Sequence, residues 1–559
     1  MAARRLAIAL LIVWVSVPHA AAQRSATVTI SVIATSDLHG GVLSRGDRGG
    51  IAMLGGYLRN LRAARLRDGG SVLLVDSGDM FQGTLESNLN EGAAVVRAYN
   101  ALGYAAAAIG NHEFDFGPAG PDETARTPGE DPRGALKARA AQARFPFLAA
   151  NTIDDATGRP VVWPNVKPST MITLRGVTIG VIGVTTIDTA AQTIAANVAG
   201  LTFAPLAPAI AREAMALRAR GATIVIVLAH AGGRCTKLDD PEDLSSCDQM
   251  AEIVGVVREL PAGLVDMIAA GHTHQGMAQD VAGIPVVEAY SAGRSFSRVD
   301  LTVNRSSGTV VAKHIFPPQD VLPGRYEARA VTPDTTAGAA IASAVRSALT
   351  IKNQPLGVHV ETPLSRGDQQ HETALADLIT DGMLASVPGA DAAFGNGGSL
   401  RADLPAGPLT YGSVYEVYPF DNRLVTLTLT GGQLTRIVAY NLTRRALPTE
   451  LLPIAGFKVD ATCEGSNLRV MLTRPSGMPI RADDRLTVAT SDFVATGGDG
   501  VVAPAGPLGD IKTVAGAPLL RESVVTWLRT RGGRLNENQF VSAENRRWHF
   551  PAPRPVMCQ

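Results

Sequence analysis

Five times in the first half of the chain an apolar run stops abruptly at glycine, aspartate, asparagine or histidine. Val28–Ala34 leads to Asp37-Leu38-His39, Val72–Val75 to Gly78-Asp79, and Ala105–Ile109 to Gly110-Asn111-His112-Glu113. Ile224–Leu228 leads to His230, and Leu264–Ala269 to Gly271-His272-Thr273-His274. Each run is short and rich in β-branched or aliphatic residues, which predicts a buried strand. In open α/β sheets ligands bind beyond the carboxyl ends of the strands. Five strands ending in polar ligand residues therefore point at one site.

The pattern changes at Phe316–Arg325, where proline, glycine and charge take over. Pro333–Thr350 then reads as an Ala-rich helix, with Asp334 and Thr335 suited to its first turn. From Pro355 onward strand and helix patterns restart without a metal-ligand cluster. A chain of 559 residues is too long for one ordinary core. We divide it into a leader (1–22), a first domain (23–325), a linker helix (326–354) and a smaller second domain (355–559).

Composition narrows the partners. Fifty-one basic residues balance fifty-one acidic ones, so nothing in the bulk charge favours a nucleic acid polymer or an anionic membrane. Arg4 and Arg5, the apolar stretch Leu6–Val17 and Ala20-Ala21-Ala22 make a secretory signal with cleavage near Gln23. No later stretch offers about twenty uninterrupted apolar residues, and the Pro-rich segment Trp548–Gln559 carries no tail-anchor or lipid-anchor signal. The expectation is a periplasmic or secreted monomer or homodimer without a membrane anchor. Four cysteines suit that compartment. Cys235 pairing with Cys247 and Cys463 with Cys558 is one of three possible connectivities.

The polar strand ends offer carboxylates from Asp37 and Asp79, an amide oxygen from Asn111, and imidazoles from His39, His230, His272 and His274. A mixed N/O set without cysteine suits Zn, Mn, Co, Ni or Fe. Seven ligands exceed the needs of one ion, so two divalent metal ions about 3.5–4 Å apart are expected, with Asp79 as the bridge. Asp37-Leu38-His39 is a weak signal in isolation, because both residues are common in turns. Gly271-His272-Thr273-His274 is stronger, because alternation puts both imidazoles on one side of an extended chain. The set is far stronger than its parts.

The series Asp37-x-His39, Gly78-Asp79, Gly110-Asn111-His112-Glu113, His230 and Gly271-His272-x-His274 resembles the binuclear metallophosphoesterases. The wording Gly110 to Gly117, Gly-Asn-His-Glu-Phe-Asp-Phe-Gly, resembles their 5'-nucleotidase branch. The resemblance covers nearly the whole mature chain. It implies an α/β fold: a four-layer β-sandwich flanked by helices, then the linker helix and a mixed α/β substrate-binding domain. It further implies that Asp37, His39, Asp79 and His274 hold one ion and Asp79, Asn111, His230 and His272 the other. His112, paired with Asp115, is then catalytic rather than a ligand.

In the second domain the resemblance implies that Phe420 and Phe493 sandwich a base and that Asp499 accepts from ribose hydroxyls. Asn396 and Arg401 hold base or phosphate, and Asn422, Gly456 and Arg366 complete the substrate set. Base–aromatic stacking contributes roughly 1–3 kcal/mol and tolerates different bases. One departure concerns the phosphate clamp: Gln369 stands near a position where arginine is usual, which predicts rerouting through Arg366 and His371. The implied activity is a metal-dependent release of phosphate from nucleoside 5'-monophosphates, extending to nucleotide sugars or di- and triphosphates, with water activated by the metals. The alternatives on the same scaffold are a 2',3'-cyclic nucleotide phosphodiesterase/3'-nucleotidase and a thiosulfohydrolase. A non-catalytic nucleotide-binding protein is a third reading, disfavoured because every ligand and His112 are present.

Overall fold

Period-two alternation organises the first half of the molecule. Along the strand Thr27–Thr35, Ile30, Val32 and Ala34 face one apolar cluster and Ile33 faces another, so the strand is buried on both sides. The structure, a computed structural model, describes residues 26–120, 122–368, 370–444, 450–516 and 518–559. The expected leader (1–22) and Gln369 lie outside the described residues.

Thr27–Thr35 pairs in parallel with Ser71–Asp76, and the sheet continues in parallel through Ala106–Ala108, Phe147–Leu148 and Val166–Lys167. Ser295–Asn304 and Thr309–Asp320 complete seven strands on the antiparallel side. A six-stranded second sheet runs Val177–Thr185, Ile224–His230, Met267–Ala270 and Ile284–Ala289 in parallel, with antiparallel edges. Ile30, Leu73 and Ala106 of the first sheet meet Ile179, Ile226 and Met267 of the second in one core. Helices Ile51–Arg67 and Ala93–Leu102 cover the outer face of the first sheet, and Leu206–Ala219 and Glu252–Glu259 that of the second. Helix, sheet, sheet and helix make the four layers expected. The last of the five ligand-bearing strands starts at Met267 rather than Leu264, because the Leu264 N–H first closes a turn on the Pro261 carbonyl.

Helix Thr335–Lys352 links the two halves. Its N-cap, Asp334, accepts from the Ala337 N–H at 2.9 Å. Ala337 and Ile341 join the core of the first half. At the other end Lys352 lies 3.0 Å from Glu86 and 3.0 Å from Glu416, one carboxylate from each side of the linker. Burial disfavours the ammonium, but Glu416 and Glu86 outweigh it and hold its pKa above the ordinary range.

The second domain is mixed. A five-stranded sheet containing Ala392–Phe394, Leu424–Thr430 and Arg485–Ser491 is joined by two three-stranded sheets. Helices Ala374–Ala385, Gly431–Thr443 and Leu520–Arg531 close its two cores. Disulfides join Cys235 to Cys247 and Cys463 to Cys558, the pairing weighed from the sequence.

Candidate functional site

The five strands deliver their terminal residues to one place, and tight glycine turns let them approach. A Cβ at Gly110 would lie 2.2 Å from Asp79 Oδ1, and one at Gly78 would lie 2.9 Å from His230 Nδ1. Only glycine fits there. Asp37, His39, Asp79, His272 and His274 all take left-handed φ values, between 48° and 81°. Such backbone is disfavoured for non-glycine residues and gathers at sites where the surroundings enforce it.

Two groups of candidate ligand atoms result, Asp37/His39/His274 and Asp79/His230/His272, each with its atoms within 4.8 Å of one another. Asp79 stands between them, its Oδ2 lying 3.1 Å from His230 Nε2 and 3.7 Å from His39 Nε2. Asn111 Oδ1 is 3.0 Å from His230 Nε2 and so belongs with the second group.

The donor set fits cations. His39 Nδ1 faces the Gln82 carbonyl at 2.9 Å and His230 Nδ1 faces that of Ser77 at 2.9 Å. A carbonyl only accepts, so each Nδ1 carries hydrogen and each Nε2 points inward, the arrangement usual for metal-binding histidine. His39 Nε2 and His274 Nε2 lie only 2.9 Å apart. Burial pushes the pKa values of His39 and His272 down to about 3 and that of His274 well below the ordinary range, which leaves neutral imidazoles with inward lone pairs. His230 goes the other way: burial opposes its charge, but Asp79 overcomes this and lifts it to about 10. A proton there occupies the place that a cation suits.

Two buried carboxylates that the sequence reading left without a role hold these loops. Glu113 accepts from the N–H groups of Gly110 at 2.7 Å, Asp79 at 2.8 Å and Met80 at 2.7 Å. Glu288 accepts from the Thr273 hydroxyl at 2.7 Å and from the Gly233 N–H at 3.2 Å. The three-residue spacing of Glu113 from Gly110 was the available signal for the first; Glu288, in the middle of a strand, offered none.

His112 stands beside the metal-ligand groups. Its Nδ1 is 2.6 Å from Asp115 Oδ2, and the other oxygen of Asp115 accepts from the Thr193 hydroxyl at 2.8 Å. Burial opposes the imidazolium, but Asp115 and Asp79 outweigh it and His112 is held above the ordinary histidine range. Its Nε2 faces Arg401 Nη2 of the second domain at 3.2 Å, and the Phe420 ring is centred 5.7 Å away.

One cavity of about 1150 Å³ runs across this junction. It is lined by Asp79, Asn111, His112, Asp115, His272 and His274 on one side and by Arg366, Asn396, Arg401, Phe420, Asn422, Phe493 and Asp499 on the other. Asn396 Nδ2 donates to Asp499 Oδ2 at 2.7 Å. Two expected residues fall elsewhere. Gly456 packs its backbone against the Asp391 carbonyl and does not line the cavity, because its positive φ serves a strand end. His371 is exposed and pairs with Asp368 at 3.0 Å, so of the rerouted clamp only Arg366 faces the cavity.

Comparison with known proteins gives a consistent picture. The calcineurin-like phosphoesterase family model matches residues 30–276, and the 5'-nucleotidase C-terminal domain model matches residues 334–505. Protein UshA of Yersinia enterocolitica is 27% identical over 522 residues, covering 86% of this chain and 87% of that protein. Endonuclease YhcR of Bacillus subtilis is 26% identical over 500 residues, covering 86% of this chain but only 38% of its own length. A 5'-nucleotidase precursor from Thermus thermophilus shares the fold with a TM-score of 0.72 at 24% identity, covering 91% of this chain and 97% of that one.

Proposed function

We propose that this member of the 5'-nucleotidase family of metallophosphoesterases, a phosphoric monoester hydrolase, releases phosphate from nucleoside 5'-monophosphates outside the cytoplasm. The observation that carries this reading is a cavity in which Asp79, Asn111, His272, His274 and His112 face Arg401, Phe420, Phe493 and the Asn396–Asp499 pair. In it Phe420 and Phe493 take the base, Asp499 the ribose, and Arg401 with Arg366 the phosphate.

Asp37, His39, Asp79 and His274 would hold one divalent cation and Asp79, Asn111, His230 and His272 the other. Such a pair neutralises the repelling phosphoryl oxygens and lowers the pKa of a water. The chain's own groups do the rest. His112, its pKa raised against burial by Asp115 and Asp79 and in spite of the nearby Arg401 guanidinium, sits where its Nε2 can donate to a phosphoryl or departing ribose oxygen that comes between it and Arg401. Arg401 lies over the Phe420 ring at 5.1 Å, so that one residue pair can grip both phosphate and base. The two disulfides support a site of action outside the cytoplasm. No helix among the described residues is long and apolar enough to cross a membrane.

A phosphate-release panel of nucleoside monophosphates, nucleotide sugars, triphosphates, cyclic nucleotides and thiosulfate conjugates, run after chelation and readdition of each ion, tests the proposal. Nucleoside 5'-monophosphates should head the ranking, chelation should abolish release, and Phe420→Ala should weaken nucleotide use while sparing p-nitrophenyl phosphate. A ranking headed by cyclic nucleotides or thiosulfate conjugates would refute it.

A further inference from the structure

From the last residue of the strand Val177–Thr185 into the loop that follows it, four threonines, Thr185, Thr186, Thr189 and Thr193, are each at most 2% exposed. Threonine is mostly a surface residue, so four buried together need partners. Three brace the loop internally. Thr189 donates to the Thr186 carbonyl at 2.8 Å and meets the Thr185 hydroxyl at 3.2 Å, while Thr186 Oγ1 accepts from the Asp188 N–H at 3.2 Å.

The braced loop then touches the site three times. The Thr186 N–H donates to the His230 carbonyl at 2.9 Å. The Gln192 carbonyl accepts from Asn111 Nδ2 at 3.1 Å. Since that carbonyl can only accept, it decides which way the Asn111 amide lies and turns Oδ1 towards His230 Nε2. The Thr193 hydroxyl donates to Asp115 Oδ1, opposite the oxygen that meets His112.

We propose that Thr193 is a positioning residue: by engaging the second oxygen of Asp115 it stops the carboxylate turning about its Cβ–Cγ bond and so fixes the plane of the His112 ring. The inference rests on the phosphomonoesterase reading above. A carboxylate bonded on one side only can swing, and the imidazole swings with it; one bonded on both sides cannot. The neighbouring Gln192 carbonyl ties the same loop to Asn111, so the orientation of the proton donor and of a candidate ligand share one support.

The test compares Thr193→Val, which keeps the shape and loses the hydroxyl, with Thr193→Ser, which keeps the hydroxyl, each in the native and the Asp115→Ala background. Turnover is read on p-nitrophenyl phosphate, alongside bound metal and thermal midpoint. Thr193→Val should lower kcat about tenfold with KM and metal content unchanged, and serine should restore it to within about threefold. Beside Asp115→Ala the valine change should cost nothing further, the non-additivity expected of residues acting through one another. An unchanged kcat in Thr193→Val, a full loss persisting beside Asp115→Ala, or loss of bound metal would overturn the proposal. If valine does not fold, Thr193→Ala carries the same comparison. An enzyme that cleaves the aryl ester but no nucleotide would sink the substrate reading and leave this test intact.

Discussion

His112 and Asp79 are tied together, the His112 backbone N–H donating to Asp79 Oδ1 at 2.9 Å, and substitution should separate the roles proposed for them. His112→Ala should lower kcat by roughly 10²- to 10⁴-fold while elemental analysis finds the metal still bound. Asp79→Ala should lose metal, because its carboxylate stands between both groups. The pH profile follows from Asp115. His112 is held above the ordinary histidine range, so the protonated form that donates is fully present at low pH and is lost as pH rises through that raised pKa. Asp115→Asn removes the strongest support of the cation, and the alkaline limb of kcat/KM should move to lower pH. An unmoved limb would assign it to another group.

Among elements, the strand-to-loop turns decide the site. Gly110→Ala should strip metal and lower the thermal midpoint, because its Cβ would meet Asp79 Oδ1 at 2.2 Å against a backbone that cannot retreat. The five strands and the convergence of Asp37, His39, Asp79, Asn111, His230, His272 and His274 were legible in the sequence because each of these residues follows its own apolar run within a few positions. Glu288 and Thr193 were not. The hydroxyl of Thr193 meets a carboxylate 78 positions away, and Glu288 supports Gly233 at a separation of 55; neither lies in a pattern that announces such a partner. Gly456 and His371 lie outside the lining of the cavity. Their residue types suit a binding site, but a strand end uses the first and a surface ion pair the second.

At the scale of the molecule, the two halves meet at several points. The Gln82 side chain donates to the Pro419 carbonyl at 2.8 Å, Arg423 pairs with Glu123 at 3.0 Å, and Arg401 abuts His112. Lys352 is the junction they share. Lys352→Met would leave Glu86, which is nearly inaccessible, without its counter-charge, and should destabilise the fold by roughly 3 kcal/mol in chemical denaturation. A loss no greater than that of an exposed lysine would show that the halves do not depend on it. The left-handed backbone of five candidate ligands has a wider consequence. Each such residue carries strain of order 1–3 kcal/mol, so exchanging His39 or His272 for glycine should make the metal-free protein no less stable. Heat-resistant variants selected without a demand for turnover will therefore tend to discard the reactive centre first, since rigidity and catalysis compete for the same few positions.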